Sequence, residues 1–119
     1  MRTIINFESI AKQYKCAVAS KYRPLKPDEI SSVTSGKNFV SKKIDGELWM
    51  AHIDKERVTL FAKGDRFIKE GPIIESLRGC LPHNVTNLIV AGELYVKKET
   101  RERVGDVSKA ISENDLNNL

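Results

Sequence analysis

The sequence lacks the features that mark membrane, secreted and zinc-binding proteins. Among its 119 residues no apolar run approaches the roughly 18 that a membrane-spanning helix needs. The opening MRTIINFESI has no apolar core followed by a small-residue cleavage site, as a signal peptide would. Cys16 and Cys80 lie far apart and form no CxxC pair. We therefore expect no membrane partner and no structural zinc, and a cytoplasmic (nucleoid-associated) or nuclear protein with reduced thiols in its core.

The residues that are present give a globular composition with an uneven charge. Hydrophobic residues make up 40% and charged residues 30% of the chain, which is typical of one folded domain. The net charge of +4 divides unevenly, because residues 1–43 hold nine Lys/Arg against three Asp/Glu and residues 44–119 hold eleven against thirteen. A basic front segment favours a polyanionic partner, although an ordinary solvated basic surface explains it equally well.

Hydrophobic periodicity predicts the order helix, β-meander, helix, strand, helix. Residues 4–18 carry apolar side chains at helical spacing, and the Pro- and Ser-rich stretch that follows predicts an irregular lead-in. The chain divides into residues 1–36, a helix with a basic lead-in, and residues 37–119, within a single structural unit. This order predicts an α+β fold with an antiparallel or mixed sheet and flanking helices.

Three successive strands, NFVSKKI, ELWMAHI and RVTLFA, are predicted by their residue pattern. Asp45 and Gly46 separate the first two and predict a two-residue type I′ hairpin, because both central positions of that turn need positive φ. Pro72 begins the short helix PIIESLRGCL. The largely apolar residues 88–96, LIVAGELYV, predict a strand in the centre of the sheet, and Asp106 is placed to cap the last helix.

The lysine pair before the Asp-Gly turn raises a question of chemistry. By the two-residue period of a strand, Lys43 shares a face with Asp45 at the mouth of the hairpin, whereas Lys42 points the other way. A lysine that attacks phosphorus must be neutral, and at an unperturbed pKa near 10.4 about one in 2,500 is neutral at pH 7. Partial burial and neighbouring cations lower such a pKa. Taken alone, Lys-x-Asp-Gly fits a hairpin with a solvated lysine as well as it fits a nucleophile.

FVSKKIDGELWMAHI resembles the KxDG signature of the covalent nucleotidyltransferases, which include ATP-dependent DNA ligases, RNA ligases and messenger-RNA capping enzymes. FAKG at residues 61–64 is similar to the family's Ser-Arg-x-Gly element, and LIVAGELYV resembles its apolar strand ending in Asp-Gly-Glu-Leu. FIKEGPIIESLRGCLP and ETRERVGDVSKAI also resemble ligase segments, in the family's order. The resemblance covers residues 37–113 and is closest to the N-terminal part of the adenylation domain of ATP-dependent DNA ligases.

The resemblance implies a partial nucleotidyltransferase domain of ATP-grasp-like architecture that uses ATP and Mg²⁺ and acts on nicked duplex DNA in repair or replication. It implies that Lys43 forms a lysyl-AMP intermediate and that Asp45 and Gly46 shape its turn. Lys63 would lie near the nucleotide and the nucleic acid, and Glu93 would contact the ribose or help to hold the metal ion. Because the family's later motifs and its OB domain are not in the chain, the resemblance also implies a C-terminal remainder as a partner.

Three departures from the family pattern leave two other functions open. Leu48 stands where ligases commonly have arginine, Lys63 stands for arginine, and Ala91 stands for aspartate. Leu48, together with the family's later motifs that the chain does not contain, favours a non-catalytic nucleotide- or nucleic-acid-binding module that keeps a ligase-like sheet. An RNA ligase or capping-type enzyme would share the chemistry of Lys43 and differ in its substrate.

Overall fold

The computed structural model describes residues 5–82 and 84–119, so the predicted start of the first helix at Ile4 lies outside it, as does His83. In chain order the elements are α1 Phe7–Ala19, a 3-10 turn Pro27–Glu29, α2 Ile30–Thr34, β1 Glu47–Asp54, β2 Arg57–Ala62, β3 Arg66–Ile68, α3 Pro72–Cys80, β4 Leu88–Leu94 and α4 Gly105–Ser112. None of the helices in this described part could span a bilayer. The predicted α+β class, with an antiparallel sheet and flanking helices, is confirmed, whereas α2 and β3 were not predicted.

The four strands form one antiparallel sheet in the order β3-β2-β1-β4. β1 and β2 pair with Ala51 opposite Leu60, and tight turns join β1, β2 and β3 into the meander. On its other side β1 pairs with β4, with Leu48 opposite Glu93. This second pairing joins residues 35 to 47 positions apart in the chain, and it sets the position of the candidate site.

Three strand predictions are wrong, for one topological reason. Residues 38–44, the predicted strand NFVSKKI, form no strand. β2 and β4 occupy both sides of β1, so no edge of β1 is left for a hairpin partner. The type I′ turn is absent too, because neither Asp45 nor Gly46 has a positive φ. β4 itself, predicted to be central, lies at the edge of the sheet.

Three local predictions also need correction. Cys16 and Cys80 are exposed rather than packed in the core, because each lies on the outer face of its helix. Asp106 is not the N-cap of α4, which is Val104. Asp106 instead lies in the first turn, where its carboxylate accepts a hydrogen bond from the backbone N–H of Arg103 at 2.8 Å. The lead-in predicted to be irregular contains the 3-10 turn and α2.

The core has two layers because side chains of β1 alternate between the faces of the sheet. Trp49 and Ile53 face the larger layer, which includes residues of α3 and α4. Met50 and Phe61 face the smaller layer and pack with Ala11 of α1. All five side chains are at most 2% exposed, so both faces of the central strands are covered.

Candidate functional site

The KxDG-like segment, residues 43–46, and the end of β4 meet at Gly46. Since β1 and β4 pair antiparallel, the residues just before β1 lie beside the last residues of β4. The backbone N–H of Gly46 donates a hydrogen bond to Glu93 Oε1 at 3.1 Å. A Cβ at position 46 would overlap the carbonyl oxygen of Leu94. Glycine is therefore required here for close approach of two chain segments, and not for the positive φ of a hairpin.

Lys43 lines a cleft between the segment before β1 and the segment that joins β4 to α4. This cleft, named the lysine cleft, has a volume of about 460 Å³ and is lined by Lys42, Lys43, Asp45 and residues 98–102. Lys42 Nζ lies 3.6 Å from Glu102 Oε2 and so connects the two walls. Lys43 is exposed, and no ion pair in the described part of the chain includes it. Its amine is open to a ligand in the cleft.

Two carboxylates with lowered pKa stabilise the wall opposite Lys43. The pKa of Glu102 lies below its usual value, mainly because its own backbone N–H donates to the carboxylate, with Lys42 adding a smaller attraction. The pKa of Asp106 is lowered by its hydrogen bond with Lys98 Nζ, at 2.6 Å, and by a backbone N–H. Both carboxylates stay ionised at neutral pH. They therefore offset the charges of Lys42 and Lys98, while Lys43 has no such partner among the described residues.

A second cleft opens beside α1, at the ends of β1 and β4. This α1 cleft has a volume of about 280 Å³, and its charged lining residues are Lys15, Glu47, Lys63, Arg66 and Glu93. Gly46 lines the α1 cleft and Asp45 lines the lysine cleft, so the two clefts adjoin at this one peptide. Cations and carboxylates thus line two connected concavities on either side of the joint between β1 and β4.

Arg66 and Glu47 complete the α1 cleft and were missed by motif matching. The Arg66 guanidinium pairs with Glu47 Oε1, and its carbon lies 5.2 Å from the centroid of the Trp49 ring. The indole Nε1–H of Trp49 donates to the same Glu47 oxygen at 2.7 Å. One signal was available in the sequence, because Glu47 and Trp49 are two residues apart and so share a face of β1. Arg66 follows directly on the turn that carries Lys63.

The Glu8 carboxylate fixes α1 against this cleft. Its Oε2 accepts hydrogen bonds from the backbone N–H groups of Gly64 and Asp65, both at 2.9 Å. Positive φ values of 90° and 53° at these two residues turn both N–H groups to one side of the chain. The two bonds hold the pKa of Glu8 below its usual value, with the bond from Asp65 contributing most. The helix that carries Lys15 and the turn that carries Lys63 are therefore tied together.

The structure divides the predicted site residues between the two clefts. Gly46, Lys63 and Glu93 line the α1 cleft, whereas Lys43 and Asp45 line the lysine cleft. In the part of the chain that is described, no group of three or more His, Cys, Asp or Glu side chains is arranged to hold a metal ion. Mg²⁺ is commonly bound by one or two carboxylates together with substrate phosphates, and Glu93 offers one such carboxylate. A Mg²⁺ ion carried by a nucleotide fits this site better than an ion held by protein alone.

Comparisons with protein-family models, with curated proteins and with solved structures return no match. The assignment to a family therefore stays a prediction from the sequence motifs. The geometry at the joint is independent of that prediction. It places Lys43, which forms no ion pair with the residues that the structure describes, and a hydrogen-bonded glutamate on either side of one peptide.

Proposed function

We propose that the chain is the N-terminal part of the adenylation domain of an ATP-dependent DNA ligase, with Lys43 as its nucleophile. The hydrogen bond from Gly46 to Glu93 carries the proposal. It brings the KxDG-like segment into contact with the strand that resembles the family's Asp-Gly-Glu-Leu element. The two stretches resemble two different motifs of the family, and the fold brings them into contact. Chance resemblances in two unrelated stretches would not be expected to meet in this way.

The proposed chemistry is nucleotidyl transfer to the Lys43 amine. The deprotonated Nζ attacks the α-phosphorus of ATP, and an N–P bond forms while the P–O bond to pyrophosphate breaks. Glu93 would help to hold a Mg²⁺ ion that arrives with the nucleotide, and the ion would supply charge neutralisation at the phosphates. As the resemblance implies, the lysyl-AMP then activates nicked duplex DNA for sealing, which is consistent with a nucleoid-associated or nuclear protein.

The charges around the joint suit this reaction. Lys63 places positive charge in the α1 cleft, where it can offset the negative charge of phosphate oxygens, whereas Arg66 is already paired with Glu47. Glu93 is held at a strand end by Gly46 and is therefore pre-positioned to accept a hydrogen bond from a ribose hydroxyl. Because the clefts adjoin at one peptide, a nucleotide that extends from one into the other would contact both Lys43 and Glu93.

Self-labelling with α-labelled ATP and Mg²⁺ tests this proposal. The chain is incubated alone and with a polypeptide that supplies the later ligase motifs, and bound nucleotide is confirmed by intact mass. We expect label on the wild type and none on Lys43→Ala. Lys42→Ala is the matched control. We expect this variant to be labelled, because the Lys42 amine is paired with Glu102 and is not the proposed nucleophile. Label that survives Lys43→Ala would remove Lys43 from its proposed role.

A non-catalytic nucleotide- or nucleic-acid-binding module is the second candidate. It is favoured by Leu48, which presents an apolar side chain to the α1 cleft where ligases commonly have arginine. This candidate predicts salt-dependent DNA binding that Lys43→Ala leaves unchanged, with no covalent nucleotide on any variant. An RNA ligase or capping-type enzyme would instead label Lys43 and would be separated by nick-sealing assays on matched DNA and RNA substrates.

A further inference from the structure

We infer that residues 20–43, here named the basic arm, bind single-stranded nucleic acid through phosphate contacts and base stacking. The inference goes beyond the proposed function, because residues 20–41 of the arm line neither cleft and binding by the arm does not require Lys43 to act as a nucleophile. Three features of the arm support the inference without reference to the proposed function: its shape, its charge and its exposed aromatic side chains.

The basic arm is open to a partner along most of its length. Within it, all residues except Glu29 and Val33 are exposed. α2 packs mainly on the adjoining 3-10 turn and has no extensive contact with the sheet. The molecule has a radius of gyration of 16.8 Å, whereas a compact chain of this length would have about 13.5 Å. This elongated shape provides surface that the core does not need.

The charge of the basic arm suits a polyanion. It holds six Lys/Arg against two Asp/Glu. Arg23 pairs with Glu29 at 2.8 Å, and Lys42 pairs with Glu102 across the lysine cleft. Among the described residues, no ion pair includes three further cations of the arm, Lys21, Lys26 and Lys37. Such unpaired cations can bind phosphates and release the counterions condensed on a nucleic acid.

Exposed aromatic rings distinguish a nucleic acid from other polyanions. Tyr22 is 76% exposed and lies between Lys21 and Arg23, and Phe39 is fully exposed two residues after Lys37. Neither ring contributes to the core. Bases stack on such rings with little sequence preference, and only unpaired bases present free faces. The arm therefore fits a single strand better than a duplex or an acidic peptide.

The direction of the chain connects this surface to the candidate site. The basic arm ends at Lys42 and Lys43, which line the lysine cleft. A strand bound along the arm would therefore lead towards that cleft. This arrangement would hold an unpaired end or a gap near a nick.

Fluorescence anisotropy with a labelled single-stranded oligonucleotide and its blunt duplex, over a series of salt concentrations, tests the inference. The arm variant replaces three cations with glutamine, Lys21→Gln, Lys26→Gln and Lys37→Gln. The control variant makes the same change in charge at exposed cations elsewhere, Lys55→Gln, Lys97→Gln and Lys109→Gln. For the single strand we expect the arm variant to lower the magnitude of the salt slope by about 2, since each phosphate contact contributes about 0.7. We expect the control variant to change this slope little.

A second variant isolates stacking from charge. Tyr22→Ala combined with Phe39→Ala should weaken single-strand binding about tenfold, leave the salt slope unchanged and affect duplex binding less. Equal losses in the arm and control variants would overturn the inference, as would unchanged single-strand affinity in the aromatic variant. Tighter binding to polyglutamate or to anionic lipid vesicles than to the oligonucleotide would overturn it as well.

Two further measurements on the same proteins separate folding and catalysis from binding. Thermal melts should match the wild type, because every substituted side chain is exposed. Labelling of Lys43 by ATP is measured in parallel. If the arm variants lose single-strand binding but are still labelled, the result supports the inference independently of which substrate the enzyme acts on. If labelling is lost while single-strand binding is retained, the result counts against the proposed function alone.

Discussion

β2 and β4 are both apolar strands that flank β1, yet β2 is largely buried whereas β4 is buried only at Leu94. Leu60 and Phe61 of β2 are 5% and 0% exposed, whereas Ile89 and Val90 of β4 are 36% and 47% exposed. β2 has strands on both sides and packs against α1 and α3, while β4 is an edge strand. An apolar strand sequence thus indicates burial only where another element is available to cover it.

The proposed function would explain why β4 exposes apolar side chains. Proteins usually protect edge strands, because an apolar edge readily pairs with another strand. β4 carries three consecutive exposed apolar residues, Leu88, Ile89 and Val90. If the chain is the N-terminal part of an adenylation domain, the C-terminal remainder is the segment that we expect to cover this strand. The difference between β2 and β4 would then disappear in the complete domain.

The largest expected effect contrasts one residue from each strand. Phe61→Ala should lower the free energy of unfolding by about 3–5 kcal/mol, because it leaves a cavity between the sheet and α1. Val90→Ala should lower it by about 1 kcal/mol or less, since the side chain is half exposed. Chemical denaturation of both variants measures the two losses. Equal losses would contradict the comparison and show that β4 is covered in solution, and a dependence on protein concentration would identify another copy as the cover.

An intermediate loss of stability is expected for a substitution at Gly46, where the end of β4 contacts the segment before β1. Gly46→Ala should cost about 1–3 kcal/mol, because the new Cβ overlaps the Leu94 carbonyl oxygen and one of the two segments must shift. Gly92→Ala is the control on β4, since a Cβ there meets no atom within 4 Å. Denaturation midpoints compare the two. A Gly92→Ala loss as large as that of Gly46→Ala would mean that any side chain weakens β4, and that the joint has no special role.

Much of the fold could be predicted because local pattern and tertiary context agree there. ELWMAHI and RVTLFA became β1 and β2 with nearly the predicted bounds, since alternation and a short turn suffice to pair them. PIIESLRGCL became α3, with Pro72 at its start and Ile74 buried. In each case the residues that determine the element are close together in sequence. Short-range periodicity therefore carries the information.

The remaining features depend on pairing between distant residues. The hydrophobic content of LIVAGELYV indicates a strand, but its place at the sheet edge depends on which other strands pair with β1. That same choice excluded NFVSKKI from the sheet, although Asp-Gly favours a hairpin locally. The candidate site shows the same limit. Motif matching identified Lys63 and Glu93, whereas Arg66 and Glu47 became visible only when β1 and the β2–β3 turn were placed side by side.

The smallest expected effect concerns how α1 reinforces the β2 side of the sheet. The pKa of Glu8 is lower in the folded protein, because the N–H groups of Asp65 and Gly64 stabilise its ionised form. The stabilisation is therefore fully present above the unfolded pKa of about 4.5 and is lost as the pH falls through the lower folded value. Glu8→Gln should thus reduce the melting temperature at neutral pH, and this difference from the wild type should shrink to zero in acid.

Melting curves from neutral pH down to about pH 3 measure this difference between wild type and variant. Glu70→Gln is the control, because Glu70 is an exposed carboxylate outside the described ion pairs and hydrogen bonds. Its difference from the wild type should stay near zero at every pH. A Glu8→Gln difference that does not change with pH would show that α1 is held by Phe7 and Ala11 alone, through their packing against Phe61. The β2 side would then owe its order to apolar burial, which β4 has only at Leu94.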